Sequence, residues 1–316
     1  MEDAVSPKAE RLLPSGKDVA FPDIEATLAR LVRDGRTRRR GPARSLIATV
    51  IVIGDTDRLA AAAEALEQLS EMGGVRAILI SEGEQTAPVA RVSENAIAIS
   101  GLAPRFLNNA VAALRLSSLP AVVWWRGGSA GALHDLSGLA DRMILDAADP
   151  DPAWEQASRL AGRTALSDLR WTRVTRWRSA LAHLFDVPRV REQRRAFRKL
   201  SVEATDLHAA RLYAGWLHAC LEWTPSVSIA IAAAAKPDPV SALTHVRLEA
   251  DQLSITATLK EGRGCLAAAV DGHHSSTRIV PLGDGSLASL IGEELGVRTR
   301  DLAFERALTS ALEIQA

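Results

Sequence analysis

The sequence lacks the features of a secreted or membrane-spanning protein. Only two of its 316 residues are cysteines, Cys220 and Cys265, which are too few for a disulfide framework or a zinc site. No apolar run approaches the roughly 20 residues that a membrane helix needs, and residues 1–18 are polar and offer no secretory signal. We therefore expect a cytoplasmic protein with reduced thiols, no bound metal and no membrane segment. Cys220 lies on the apolar stripe of a predicted helix at residues 206–223, so we expect a buried, inert thiol.

The sequence also lacks net charge, because 38 basic side chains balance 38 acidic ones. The charge is unevenly distributed, however, since residues 159–199 contain twelve basic side chains and three acidic ones. A local excess of positive charge attracts acidic proteins, phosphorylated ligands or nucleic acid. The hydrophobic fraction of 47% can fill a core in each of two domains, the number that this chain length favours.

The pattern of apolar residues predicts an α/β fold divided into four segments. Residues 1–43 are expected to form a flexible N-terminal arm and a basic linker. Between residues 44 and 150, β-branched runs such as residues 46–53 alternate with helical stretches, as in a parallel or mixed sheet covered by helices. Residues 151–223 form a predicted basic helical segment. Residues 224–316 are typical of an α+β domain with a mostly antiparallel sheet, because the connections between their strands are short.

A glycine-rich turn, Gly127-Gly-Ser-Ala-Gly131, follows a predicted strand and precedes a predicted helix. It matches the G-x-S-x-G pattern of a nucleophile elbow, which makes Ser129 a candidate nucleophile of a serine hydrolase. Asp146 and His273 follow in the permitted order for its partners. Against this interpretation, Arg126 and two glycines separate the strand from the serine, and no distinctive Asp or His motif follows.

The same turn is also a candidate site for an anion. Backbone N–H groups at a helix start favour phosphate, and Arg126, Gly127 and Gly128 stand where they could hold one. The alternative functions carried by this turn are therefore a serine hydrolase and a phosphosugar-binding module. Dinucleotide and Walker fingerprints are both missing, so we expect no cofactor.

The most unusual stretch of the chain is residues 168–186, in which arginines alternate with Trp171 and Trp177. Apolar residues recur at helical spacing from Trp177 to Phe185, and Thr175 is the predicted N-cap of that helix. Tryptophan is costly to expose, and the arginine fork stacks on aromatic rings. The alternation therefore predicts either an internal ladder of arginine and tryptophan or a recognition surface, and residue chemistry leaves both open.

The same stretch resembles the hallmark of the OpcA family, the glucose-6-phosphate dehydrogenase assembly proteins. The similar sequence is Asp168-Leu-Arg-Trp-Thr-Arg-Val-Thr-Arg-Trp-Arg178, and further similar segments occur in the same order at residues 75–80, 119–127, 139–146 and 210–218. The resemblance implies a non-catalytic allosteric activator that binds glucose-6-phosphate dehydrogenase and promotes its active oligomer in the pentose phosphate pathway. Binding of nucleic acid through the basic segment is a further alternative, and we do not expect it.

The resemblance also suggests where the partner binds. We predict a partner-binding surface, called here the signature stretch, that is made by Asp168, Arg170, Trp171, Thr172, Arg173, Trp177 and Arg178. If these residues are instead an internal ladder, the contact with the partner lies elsewhere.

Overall fold

The computed structural model describes residues 12–38, 46–70, 74–83, 88–223, 227–260, 262–271, 276–297 and 299–314. The end of the predicted basic linker and His273 lie outside these ranges. The described residues form two sheets and eleven α-helices, which confirms the α/β class. The chain divides into two compact units: unit 1 contains residues 1–167 and 291–300, and unit 2 contains residues 168–290 and 301–316. The four-segment division predicted from the sequence stays a prediction.

Unit 1 is built on an eight-stranded sheet with the order β1-β4-β5-β3-β2-β6-β7-β8. Its strands are β1 (Lys17–Val19), β2 (Leu46–Ile53), β3 (Gly74–Glu82), β4 (Val89–Val92), β5 (Ala96–Leu102), β6 (Ala121–Trp125), β7 (Arg142–Leu145) and β8 (Ala165–Asp168). Strand β2 pairs in parallel with β3 and with β6, whereas β4 pairs antiparallel with β5 and with β1. The sheet is therefore mixed, with a parallel centre.

The parallel centre explains the continuous apolar runs in the sequence. Helices connect parallel strands and cover both faces of the sheet, so side chains on both faces of a central strand are buried. Strand β6 shows this most clearly, because the adjacent Trp124 and Trp125 point to opposite faces and are only 0% and 2% exposed. Both tryptophans are therefore core residues of the sheet.

Helices of unit 1 connect these strands. They are α1 (Ile24–Arg38), α2 (Thr56–Ser70), α3 (Leu107–Leu114), α4 (Ala130–Ser137) and α5 (Asp151–Leu160), with short 3₁₀ turns at Phe21–Asp23 and Pro104–Phe106. Strand order reverses between β2 and β6, which run in parallel side by side. In open α/β sheets such a reversal opens a crevice at the carboxyl ends of the two strands, the usual place for a ligand.

Part of the predicted flexible arm is ordered. Strand β1 is an edge strand on β4, and Asp18 forms an ion pair with Arg91 at 3.1 Å. Arg91 also donates a hydrogen bond to the carbonyl of Gly16. The sequence did not predict this strand, because only three residues pair and their partners lie more than seventy positions away.

Unit 2 is built on a six-stranded sheet with the order β10-β9-β11-β12-β13-β14. Its strands are β9 (Lys199–Ala204), β10 (Ser228–Ala233), β11 (Leu243–Ala250), β12 (Leu253–Lys260), β13 (Cys265–Asp271) and β14 (Ser276–Pro281). The β9–β10 pair is parallel and the other four pairs are antiparallel, so this sheet is mixed. The sequence pattern predicted no strand between residues 151 and 223, so it missed β8 and β9. Helix α9 was predicted, but without β9 it could not be recognised as the crossover that makes the β9–β10 pair parallel.

The helices of unit 2 are α6 (Leu169–Arg173), α7 (Thr175–Leu184), α8 (Pro188–Glu192), α9 (Leu207–Leu221), α10 (Leu287–Gly296), whose last residues belong to unit 1, and α11 (Leu302–Glu313). Helices α9 and α11 pack closely, because Gly215 has no side chain. A Cβ atom there would lie 2.8 Å from the backbone nitrogen of Ala311. Helix α7 packs on β12, β13 and β14, and it begins at Thr175 with Val174 at the N-cap, one residue before the predicted cap.

Candidate functional site

The glycine-rich turn lies directly after β6, at the carboxyl end of a strand where the strand order of the sheet reverses. Gly127 and Gly128 have φ angles of 151° and 123°, a backbone region that residues other than glycine rarely adopt. Their conformation brings the backbone N–H of Ser129 to 2.9 Å from the Oε2 atom of Glu82, at the end of β3. A Cβ atom at Gly128 would lie 3.0 Å from the same carboxylate, so the turn closes tightly around it. The turn therefore binds the carboxylate of Glu82.

Arg126 is also engaged within unit 1. Its Nε donates to Oδ2 of Asp146 at 2.8 Å, and Arg58 donates to the backbone carbonyls of Arg126 and Asp146 at 3.0 and 2.8 Å. Burial lowers the pKa of Arg126, and the charge of Asp146 opposes this shift. Because Glu82 occupies the N–H group and Asp146 pairs with the guanidinium, this geometry disfavours the anion site predicted at Arg126, Gly127 and Gly128.

The geometry also disfavours a hydrolase at Ser129. An activated serine needs a general base within hydrogen-bonding distance. The Ser129 hydroxyl forms no hydrogen bond with any residue that the structure describes, and Asp146 is paired with Arg126. His273 lies outside the described residues. Ser129 instead stands at the N-cap position of α4, where Glu82 takes the role of capping acceptor.

The signature stretch of unit 2 begins with a fully buried carboxylate. Asp168 is 0% exposed and accepts a hydrogen bond from the backbone N–H of Arg170 at 2.7 Å, which caps α6. The Arg170 guanidinium pairs with Asp206 at 3.0 Å. Asp206 in turn caps α9 by accepting from the N–H of His208 and of Ala209. Arg170 therefore links the start of α6 to the start of α9.

Trp171 is held on three sides. Its indole Nε1 donates to Oδ2 of Asp301 at 2.8 Å, and its ring lies 5.8 Å from that of Phe304. The guanidinium of Arg178 stacks over the Trp171 ring at 3.4 Å from the centroid and donates to the hydroxyl of Thr175. Cation–π contacts are strongest where water is excluded. With 2% of its surface exposed, Trp171 offers almost nothing to a partner.

Trp177 lies in the interior of unit 2 with no exposed surface. Its Nε1 donates to Oγ of Ser241 at 3.1 Å, and Ser241 donates onward to the carbonyl of Leu243 at 2.6 Å. Thr172 is also buried, and Arg173 donates to the carbonyl of Gly285 at 3.3 Å. The indole N–H of Trp177 and the guanidinium of Arg173 therefore form their hydrogen bonds within unit 2.

The structure brings all seven residues of the signature stretch together within unit 2: Asp168, Trp171, Thr172 and Trp177 are buried, and the three arginines are partly exposed. Five of them bond to distant segments of the unit or cap one of its helices, and the two tryptophans are buried. This burial disfavours a direct partner-binding role and favours the internal ladder. The hydrogen bonds and ion pairs of the stretch connect α6, α7, α9, α11 and the sheet.

Exposed positive charge lies after the signature stretch, within the basic helical segment predicted at residues 151–223. The exposed side chains are Arg191, Arg194, Arg195, Arg198 and Lys199, and we call this group the basic patch. The overall charge excess of residues 159–199 pointed to the region. It could not separate these residues from the partly buried arginines of the signature stretch, because both kinds have the same charge.

A metal-binding cluster and a membrane-spanning helix are both absent from the described residues. They contain no group of three or more histidine, cysteine, aspartate or glutamate side chains arranged to hold a metal ion. Among the same residues, no helix has both the length and the apolar character required to cross a membrane.

Comparison with known proteins gives a family match in the second half of the chain. A protein-family model for the C-terminal domain of a glucose-6-phosphate dehydrogenase subunit matches residues 164–308, which include the ladder and the basic patch. A protein of Synechocystis sp., named "Putative OxPP cycle protein OpcA", is 30% identical over 131 residues. That match covers 38% of this chain and only 27% of the relative's length.

Among solved structures, an aldose–aldose oxidoreductase from Caulobacter crescentus complexed with glycerol is similar at 10% identity. The superposition covers 85% of this chain and 95% of that chain, with a TM-score of 0.46. A likeness at this level does not establish a shared fold or a shared activity.

Proposed function

Because residues 164–308 match a domain of the OpcA family, we propose that this chain is a non-catalytic assembly factor and allosteric activator of glucose-6-phosphate dehydrogenase. In this role it binds the dehydrogenase and favours its active oligomer in the pentose phosphate pathway. The observation that carries the proposal is the family match together with the similarly named relative. The match covers most of unit 2.

The construction of unit 2 supports a binding role. The ladder connects four helices and the sheet through charge-assisted and buried hydrogen bonds, which are stronger than neutral bonds at the surface. A rigid support keeps exposed side chains in place before binding, and this lowers the entropy that association costs. Unit 2 therefore suits a protein that presents a preformed surface to its partner.

Activation through assembly follows from mass action. A protein that binds the active oligomer and not the inactive form shifts the equilibrium by RT ln(1 + [L]/Kd), about 2.7 kcal/mol when it is present at one hundred times its Kd. The effect should be largest where the dehydrogenase is dilute and mostly dissociated. Activation that disappears at high dehydrogenase concentration is thus the signature of this mechanism.

The test uses the full chain and purified dehydrogenase from the same organism. Specific activity and molar mass, by light scattering after size exclusion, are measured over a range of dehydrogenase concentrations with and without the chain. We expect higher activity and a larger mean mass at low concentration, and convergence of both at high concentration. Unchanged activity and mass at every concentration would contradict the proposal.

A further inference from the structure

The basic patch is held rigidly on the core of unit 2. Val190 and Phe197, which lie within the same segment, are both 0% exposed. The Phe197 ring meets that of Phe185 edge-on at 6.0 Å, and the segment continues directly into β9. The backbone that carries the arginines is therefore anchored at both ends by buried aromatic and aliphatic side chains.

Most of the charge of the basic patch is not neutralised. Arg195 pairs with Glu222 and Lys199 pairs with Glu249, all at solvent-exposed positions where an ion pair contributes little. Arg191, Arg194 and Arg198 form no ion pair with any residue that the structure describes. Arg194 and Arg198 donate to the backbone carbonyls of Arg191 and Arg195, at 3.5 and 2.8 Å. Each guanidinium has five N–H donors, so most of them stay available.

We infer that the basic patch is the surface through which unit 2 docks onto an acidic surface of a protein partner. This inference rests on the proposed function, in which that partner is glucose-6-phosphate dehydrogenase. The planar guanidinium fork matches carboxylate geometry, and it is less strongly hydrated than an ammonium group. A cluster of guanidinium groups without ion-pair partners, carried by an anchored backbone, therefore suits Asp and Glu side chains on the surface of a folded protein.

The same observations favour a protein over a nucleic acid. Single-stranded nucleic acids bind to basic grooves that also present aromatic side chains for base stacking. Here the two aromatic side chains nearest in sequence serve the core, because Phe197 is buried and the half-buried Phe185 packs edge-on against it. Helix α8 has five residues, which is too short for a recognition helix that lies along a groove.

The surface should act mainly on the rate of association. Opposite charges steer two proteins together over distances up to the Debye length, about 10 Å at 0.1 M salt. Replacing positive by negative charge turns attraction into repulsion, so we expect the double variant Arg191→Glu/Arg194→Glu to associate about tenfold or more slowly at low salt. The difference from wild type should shrink as salt is added.

The experiment measures association and dissociation rates between the full chain and the purified dehydrogenase at several salt concentrations. The matched control is Arg263→Glu/Arg278→Glu, which changes the net charge of unit 2 equally at two exposed positions outside the patch. We expect rates within about threefold of wild type for the control. Arg191→Ala/Arg194→Ala should give a smaller slowing of the same kind, which covers the case in which the double Glu variant does not fold.

The outcomes separate the inference from the proposed function. If wild type binds and both patch variants bind at the wild-type rate, the docking inference is overturned and the proposed function stands. If the control slows binding as much as the patch variant, general charge and not the patch is responsible, and the inference is again overturned. If wild type does not bind the dehydrogenase at all, the proposed function fails and the inference fails with it. Binding of a single-stranded oligonucleotide that depends on the patch, with dehydrogenase binding unaffected, would assign the surface to nucleic acid instead.

Discussion

The indole nitrogen of Trp171 donates a hydrogen bond of 2.8 Å to Asp301, a residue 130 positions away in the chain. The other oxygen of the same carboxylate accepts from the backbone N–H of Phe304 at 3.0 Å and so caps α11. One side chain therefore satisfies a buried tryptophan and starts the last helix of unit 2. This relationship joins the signature stretch to α11.

Removing that carboxylate should be costly. Asp301→Ala removes a helix cap, about 1 kcal/mol, and leaves a buried indole N–H without its acceptor, about 1–3 kcal/mol more. We expect the free energy of unfolding to fall by about 2–4 kcal/mol in urea titrations. Asp284→Ala is the matched control, because Asp284 makes comparable bonds to Ser286 at an exposed turn. A loss no greater than that of the control would show that the Trp171 bond contributes nothing.

Both tryptophans of the ladder should behave as core residues. Trp171→Ala and Trp177→Ala are each expected to destabilise the protein by about 3–5 kcal/mol, since each leaves a large cavity. Trp177→Phe should cost less, because the phenyl ring fills most of the space of the indole and leaves a smaller cavity. The measurement is urea unfolding followed by tryptophan fluorescence and circular dichroism. If Trp171→Ala kept wild-type stability and lost binding to the dehydrogenase, the surface predicted from the sequence would be right and the internal ladder wrong.

The turn around Glu82 should tolerate no side chain at Gly128. The φ angle of 123° is strained for alanine, and the new Cβ would press on the Glu82 carboxylate, so we expect Gly128→Ala to destabilise by about 1–3 kcal/mol. Gly138→Ala is the control. Gly138 has a helical backbone with open space at its Cβ position, and alanine there should be neutral or slightly stabilising. Thermal unfolding of the two variants compares them directly, and equal transition temperatures would exclude a tight turn.

The close packing of α9 on α11 makes a similar prediction for Gly215. An added methyl group would meet backbone atoms of α11, which cannot rotate away, so Gly215→Ala should cost about 1–3 kcal/mol. Gly292→Ala, also in a helix, would meet only the movable end of the Leu69 side chain at 3.0 Å. The intrinsic helix preference of alanine, about 1 kcal/mol over glycine, should then decide the sign there. A stabilised Gly215→Ala variant would show that the two helices are not in close contact.

The thiol of Cys220 is exposed, although the sequence predicted burial. Partial desolvation nevertheless raises its pKa, and the positive charges of Arg306 and Arg178 oppose the shift only in part. A raised pKa means fewer thiolates at neutral pH, so alkylation by iodoacetamide should be slower than that of free cysteine at about pH 7.5. The rate should rise with pH along a curve displaced upward from that of free cysteine. Faster labelling than free cysteine at the same pH would contradict the raised pKa.

Periodicity and composition determined much of the architecture. The β-branched run at residues 46–53 predicted a sheet covered by helices, because strands that are buried on both faces are mostly apolar along their length. Helix α7 was predicted to within one residue, since its apolar residues recur at helical spacing and that pattern is local. Strand β9 was missed, although its alternating side chains follow a strand period, because it follows directly on an arginine-rich stretch that also suits a helix.

Only the tertiary structure decided which charged and aromatic residues are covered. Arg170 and Arg191 have the same side chain and lie in the same basic segment, but Asp206 pairs with Arg170 while no acid pairs with Arg191 among the described residues. Glu82 likewise has a partner from a distant segment, since it accepts a hydrogen bond from the backbone N–H of Ser129, 47 positions away. Burial of a polar group depends on whether a complementary group from a distant segment arrives to satisfy it. The local pattern states what each residue can bond to, and the fold alone determines whether that partner is there.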